Sequence, residues 1–139
     1  MNSDEMMKEI LTSAKTVASV GISGNPDKIS NEVGKFLLDR GYDLIPVNPT
    51  TDEILGRKSY PDLSSVPEKI DVVQVFRRPE DVPPVVDEAI KVGAKAVWMQ
   101  EGIVNEEAAQ KARETGLQVV MDACMRASYK RLIGMPIEE

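Results

Sequence analysis

The sequence predicts an α/β fold: a single Rossmann-like, doubly wound domain whose mainly parallel sheet of about five or six strands carries helices on both faces. Three observations predict it. Short apolar runs without polar alternation recur at residues 17–22, 44–47, 70–76, 96–99 and 117–121, as strands buried on both faces of a parallel sheet do. Amphipathic stretches of helical period lie between them, the mark of βαβ units with right-handed crossovers. Glycines stand at the joints, since Gly41, Gly93 and Gly116 each close an amphipathic stretch and open an apolar one.

The elements follow in chain order. Residues 4–14 form a helix with Met6, Met7, Ile10 and Leu11 on its apolar face, so residues 1–15 lead into the first strand. Strand 17–22 runs into the small and turn-forming residues 21–26, and a helix begins near Ser30. Strand 44–47 follows Gly41. Residues 50–65 are polar and turn-rich, with one short edge strand near 58–60. After strand 70–76, the stretch 79–92 opens on a proline and puts Val82, Val85, Val86, Ala89 and Ile90 on one helical stripe. Past strand 96–99, Asn105 is an N-cap candidate with Glu106 and Glu107 in the first turn, Ala108 and Ala112 facing inward, and a Glu107–Lys111 pair four residues apart. Strand 117–121 and a helix over 124–132 close the sheet.

Composition bounds the function. The 139 residues are 42% hydrophobic, enough for one core and one domain spanning 1–139, with no repeat, linker or low-complexity tract. Lys and Arg number 17 against 23 Asp and Glu, and the net charge of −6 argues against bulk attraction to nucleic acid or an anionic membrane. Any anion must be held locally. The absence of histidine removes the usual general base, the commonest metal ligand and any phosphohistidine. With no long apolar run and no signal-like N-terminus, the expectation is a soluble cytoplasmic protein.

In an open parallel sheet the ligand sits beyond the carboxyl ends of the strands, where strand order reverses. After the first strand, Gly21, Ile22, Ser23, Gly24, Asn25 and Pro26 can bring backbone N–H groups to a phosphate, or can be a plain strand-to-helix turn. The dinucleotide fingerprint G-x-G-x-x-G is not met, because Ser23 stands where its second glycine belongs. The acidic residue that grips a ribose is replaced by Asn48 and Pro49. Arg77 and Arg78, behind Phe76 at another strand end, match phosphate oxygens bidentately, or pair with Glu80, Asp81 or Asp87. Gln100 and Gly102 can line a ligand or cap a loop. Cys124, near a helix start, is a reactive thiol or small core filler.

These motifs together resemble the stand-alone CoA-binding proteins of Rossmann type, related to the CoA-binding domain of the succinyl-CoA synthetase α subunit. The carriers are the runs 17–26 (V-A-S-V-G-I-S-G-N-P), 41–49 (G-Y-D-L-I-P-V-N-P), 54–56, 71–79 (D-V-V-Q-V-F-R-R-P), 97–102 (V-W-M-Q-E-G), 105–108 and 120–124. The resemblance implies that Gly21, Ile22 and Ser23, with Asn25 and Ser30, hold the diphosphate of coenzyme A or an acyl-CoA. It implies that Val47, Asn48 and Pro49 border the adenosine end. Phe76, Arg77 and Arg78 would line the same crevice, and Gln100 and Gly102 the pantetheine path. The chain departs from its relatives at Ala123, Ser128 and Tyr129, and at Thr50 and Thr51, where the synthetase subunit has a lysine. The expectation is a non-catalytic CoA-binding or regulatory module that has no metal, with a protein partner left open and unidentified. The alternatives are an NAD(P)-dependent oxidoreductase and a partner-dependent acyl-CoA enzyme subunit. A phospho-acceptor signalling domain would want clustered acids at the first strand's end, where this chain has Gly21, Ile22 and Ser23.

Overall fold

The structure, a computed structural model, describes residues 2–134. In chain order it comprises α1 (Asp4–Ser13), β1 (Thr16–Val20), α2 (Ile29–Asp39), β2 (Asp43–Val47), β3 (Glu53–Ile54), β4 (Arg57–Lys58), β5 (Val72–Val75), α3 (Val82–Lys91), β6 (Ala96–Met99), α4 (Glu106–Glu114), β7 (Gln118–Val120) and α5 (Met125–Leu132). A five-stranded sheet in the order β2-β1-β5-β6-β7 has every pairing parallel. The α/β fold with helices on both faces is therefore as the sequence predicts. The chain leaves β1 to one side for β2 and returns to the other side for β5. The carboxyl ends of β1 and β5 thus bracket the point where strand order reverses.

Successive strand residues alternate between two apolar cores. Val17, Leu44, Val72, Ala96, Trp98 and Val120 pack with Met7, Ile10 and Leu11 of α1, Val33 and Leu37 of α2 and Met125 of α5. Ala18, Val73, Val75, Val97, Met99 and Val119 pack with Val82, Val86 and Ala89 of α3 and Ala108, Ala109 and Ala112 of α4. Both faces are covered, so the strands need no polar side and read as continuous apolar runs. Trp98, fully buried, donates its indole N–H to the Ala123 carbonyl at 2.7 Å.

Local chemistry sets the helix ends. Ser3 accepts the Met6 N–H at 3.0 Å to cap α1, and Asn105 accepts the Ala108 N–H at 2.9 Å to cap α4. Gly41, Gly93 and Gly116 take the left-handed conformation after α2, α3 and α4. A 3-10 turn at Pro79–Asp81 precedes α3.

Two details differ from the sequence reading. The segment near 58–60 is not a strand of the main sheet, because β3 and β4 form their own antiparallel hairpin and Tyr60 alone bridges to Val47. The outer edge of β2 is occupied instead by the Arg57 side chain, whose Nε donates to the Leu44 carbonyl at 3.1 Å and whose guanidinium pairs with Asp43. Pro61, with no N–H to give, ends the bridge. Lys111 reaches across to Asp87 of α3 at 2.6 Å rather than to Glu107, tying α4 to α3. Among the described residues no helix is long and apolar enough to cross a membrane.

Candidate functional site

At the reversal point the backbones of three strand ends meet. Gly21 follows β1 at φ 91° and donates its N–H to the Val47 carbonyl at 3.0 Å. A Cβ on Gly21 would stand 2.2 Å from the Phe76 carbonyl oxygen, so only glycine lets β1 and β5 end this close together. Asn48 joins β2 to the same loop, donating from Nδ2 to the Ile22 carbonyl at 2.8 Å. Its Oδ1 is occupied by the Thr50 N–H and hydroxyl, at 2.9 and 2.8 Å.

The loop from Gly21 to α2 is pinned by its own polar side chains. Ser30 Oγ accepts the Ser23 N–H at 3.0 Å, Asn31 Nδ2 donates to the Ser23 carbonyl at 2.8 Å, and Ser23 Oγ accepts the Asn25 N–H at 3.0 Å. Asn25 Oδ1 in turn accepts the Asp27 N–H at 2.9 Å. Lys28, the N-cap of α2, puts no side-chain acceptor over the helix. Among the described residues the amides of Gly24, Ile29 and Ser30 have no hydrogen-bond partner. An eleven-residue helix thus opens toward the crevice with its first donors and positive dipole end free.

The crevice between these ends has a volume of about 470 Å³. Gly21, Ser23 and Ser30 form its floor on the α2 side, and Phe76, Arg77, Arg78 and Pro79 form the β5 side. Ile29 and Ile103 add apolar wall, with Ile29 55% exposed although it opens a helix. The two arginines are not equivalent. Arg78 is spoken for by its own turn, with Nε 3.1 Å from Asp81 and Nη1 3.7 Å from Glu80. The Asp81 hydrogen bond and charge, with Glu80 behind them, raise the Arg78 pKa further. Arg77 and Lys28 line the crevice without an ion pair among the described residues.

Of the residues the sequence singled out, Gly21, Ser23, Ser30, Phe76, Arg77 and Arg78 come together in this crevice. Ile22 and Val47 are buried in the cores and face the site only through the backbone. Asn25 sits at the exposed tip of the loop, and Asn48 staples β2 to it. Pro49 is exposed in the turn beyond. Gln100 is buried under α5, where its Oε1 accepts from Gln74 Nε2 at 3.1 Å and from the Met125 N–H at 3.0 Å. Gly102, at φ 85°, donates its N–H to Asp122 at 2.7 Å and also lies outside the crevice. Cys124 is half-buried at the N-cap of α5.

Sequence reasoning missed Lys28, Ile29 and Ile103 in the crevice wall, and Gly34 in α2 behind it. Gly34 had a signal, a lone glycine inside a helical pattern. A Cβ there would stand 2.7 Å from Ile22 Cδ1 and 3.1 Å from Leu44 Cδ2, so its absence lets α2 lie close on the sheet. Among the described residues no group of three or more His, Cys, Asp or Glu side chains is placed to hold a metal.

Comparison with known proteins matches residues 15–130 to the CoA binding domain. The uncharacterized protein YneT of Bacillus subtilis is 46% identical over 123 residues, which cover 88% of this chain and 91% of that protein. The solved structure of a hypothetical protein from Pyrococcus horikoshii OT3 superposes with a TM-score of 0.92 at 47% identity, over 96% of this chain and 94% of that one. The alpha subunit of an ADP-forming acetate–CoA ligase I from Pyrococcus furiosus is 30% identical over 131 residues. That alignment takes in 83% of this chain but 28% of the ligase subunit.

Proposed function

The chain belongs to the CoA binding domain family, and we propose that it binds coenzyme A or an acyl-CoA in the crevice between the ends of β1 and β5, as a single-domain binding or regulatory module without catalytic chemistry of its own. The observation that carries this reading is the unpaired Arg77 facing the open amides at the start of α2 across the Gly21 contact. In a chain of net charge −6 an anion is attracted only where local donors outweigh the global field. The crevice gathers such donors: the Arg77 fork, the Lys28 ammonium and the α2 amides, all suited to a diphosphate. Gly21, Ile22, Ser23, Asn25 and Ser30 would form the diphosphate loop, through the backbone at Ile22. Val47, Asn48 and Pro49 would border the adenosine. Gln100 and Gly102 would shape the pantetheine side from beneath rather than touch it.

A nicotinamide cofactor suits the site less well. The end of β2 offers Asn48 with Nδ2 and Oδ1 both engaged, where a ribose diol wants a free carboxylate. A second reading follows from the Pyrococcus furiosus ligase subunit, of which this chain matches a minor part. The chain would then supply the CoA site to an acyl-CoA enzyme completed by a protein partner, and any phosphohistidine would come from that partner, because this chain has no histidine. We also read the protein as cytoplasmic, with no nucleic-acid or membrane partner.

The test is a thermal-shift titration with CoA, acetyl-CoA, NAD, NADP, ATP and FAD, since a ligand of the native state raises Tm through RT ln(1 + [L]/Kd). CoA or acetyl-CoA should raise Tm and the nicotinamides should not. Arg77→Ala should weaken CoA binding by about ten- to a hundredfold, the worth of a charge-assisted hydrogen bond. Arg78→Ala should weaken it by less than about threefold, because that guanidinium is already paired. A shift with NAD and none with CoA would overturn the reading.

A further inference from the structure

The turn of the β3–β4 hairpin holds a residue that its backbone does not favour. Leu55 and Gly56 form a two-residue connection with φ of 55° and 75°, both left-handed. That geometry selects Asn-Gly or Asp-Gly, and a leucine in its first position crowds its own Cβ against the next carbonyl.

The Leu55 side chain reaches a particular place. Its Cδ1 lies 3.1 Å from where a Gly34 Cβ would stand, the same point on which Ile22 Cδ1 (2.7 Å) and Leu44 Cδ2 (3.1 Å) converge. Ile22 belongs to the loop after β1, and Leu55 is packed against the apolar cluster that contains it. The hairpin touches that loop a second time. Ile54, 2% exposed, and Thr51 come within 3.8 and 4.0 Å of a Cβ built on Gly24. The polar ties at Ser30, Asn31 and Asn48 hold the loop's backbone from the α2 and β2 sides, and the hairpin closes the remaining, apolar side.

We propose that Leu55 is a positioning residue for the ligand loop: the unfavourable turn is kept because its leucine wedges Ile22 against Gly34 and so holds residues 23–25 in the conformation that keeps the Ser23 and Asn25 amides in their loop hydrogen bonds and leaves the Gly24 amide open. This inference rests on the reading that residues 21–30 hold the ligand's phosphates. Leu55→Asn relieves the turn and removes the wedge, whereas Leu55→Met keeps an apolar arm that reaches as far.

Two measurements test it. Amide hydrogen exchange, read by NMR on the ligand-free protein, reports the Ser23 and Asn25 N–H groups, both hydrogen-bonded in the intact loop. Calorimetry reports CoA affinity. In Leu55→Asn, exchange at these two amides should rise about tenfold with the β5 and β6 amides unchanged, and CoA affinity should fall about tenfold, the cost of ordering a loosened loop. Leu55→Met should match the wild type in both. Unchanged exchange at Ser23 and Asn25 in Leu55→Asn overturns the proposal. So does a rise spread over the whole sheet, or loss of the fold, because Leu55 would then be a core residue and nothing more. Faster local exchange in a protein whose wild type ignores CoA supports the wedge and overturns the ligand reading instead.

Discussion

Gly21→Ala is the most demanding perturbation of the reversal point. The new Cβ would stand 2.2 Å from the Phe76 carbonyl oxygen, about 0.8 Å inside the closest approach that Cβ atoms tolerate. The obstacle is backbone, so no side chain can swing aside. The strand ends would have to part, straining the Phe76 N–H to Val20 carbonyl bond (2.8 Å) and the Gly21 N–H to Val47 carbonyl bond (3.0 Å) that close the sheet there. Alanine at φ 91° also meets the left-handed penalty of about 1–2 kcal/mol. With a further 1–3 kcal/mol or so for forced overpacking, the expected loss is about 2–5 kcal/mol of a total that for small domains is about 5–15. That corresponds to a fall in Tm of roughly 10–20 °C for a chain of this size. Urea unfolding followed by circular dichroism measures it, with CoA titration of whatever remains folded at low temperature. CoA affinity should also drop in the folded fraction, because Gly21 sets where the loop and the α2 amides point. A Gly21→Ala protein within about 1 kcal/mol of the wild type would refute the close-approach reasoning.

Two other substitutions test the frame. Asp71 accepts the N–H groups of Lys15 (2.9 Å) and Thr16 (3.1 Å), and Lys95 Nζ lies 3.7 Å away. Burial pushes its carboxyl pKa up, but those backbone bonds and Lys95 outweigh it, so the net shift is downward. A depressed folded pKa contributes stability that is present above the unfolded value, about 3.9, and lost as pH falls through the folded value. Asp71→Asn should therefore cost about 1–2 kcal/mol at pH 7, with the gap narrowing as pH falls below about 4, and a gap that stays constant or widens on acidification in urea titrations would contradict this. Ser19 and Gln74 pair in register on β1 and β5, and Ser19 Oγ and Gln74 Oε1 are buried without a partner among the described residues. Ser19→Ala should leave stability unchanged or raise it by up to about 1 kcal/mol, and a loss larger than that on thermal unfolding would show that the hydroxyl is satisfied.

Most of the fold was legible because its signals are local. Asn105 reads as a cap from its own residue type and the acids that follow, and it caps. The stripe of Val82, Val86 and Ala89 needs only a period of 3.6 to be placed on one buried face. Gly41, Gly93 and Gly116 mark helix ends because a left-handed residue is needed there and little else accepts it. The hairpin was not legible for the opposite reason. Its strands are two residues each, below any periodicity, and its Leu55-Gly56 turn lacks the Asn or Asp that would announce it. The partner of Lys111 depended on how close α3 and α4 lie, a tertiary fact that the alanines of α4 only hinted at.

The site divides along the same line. The loop from Gly21 was visible as a run of small residues after a strand, and its place at the reversal point follows from the βαβ order alone. The arginine pair was not resolvable from sequence, since either guanidinium has acids within a few residues. What decides between them is the turn at Pro79–Asp81, which brings Glu80 and Asp81 onto Arg78 and leaves Arg77 without an ion pair among the described residues. The burial of Gln100 was not legible for a longer-range reason: the start of α5, 25 residues further on, lands on its amide and draws it into the core. Residue type and position after a strand thus locate the crevice, while the pairing state of each polar group there depends on contacts that local pattern does not encode. In an acidic chain that pairing state is what matters, because an arginine already paired with acids offers an anion less than an unpaired one beside a helix N-terminus.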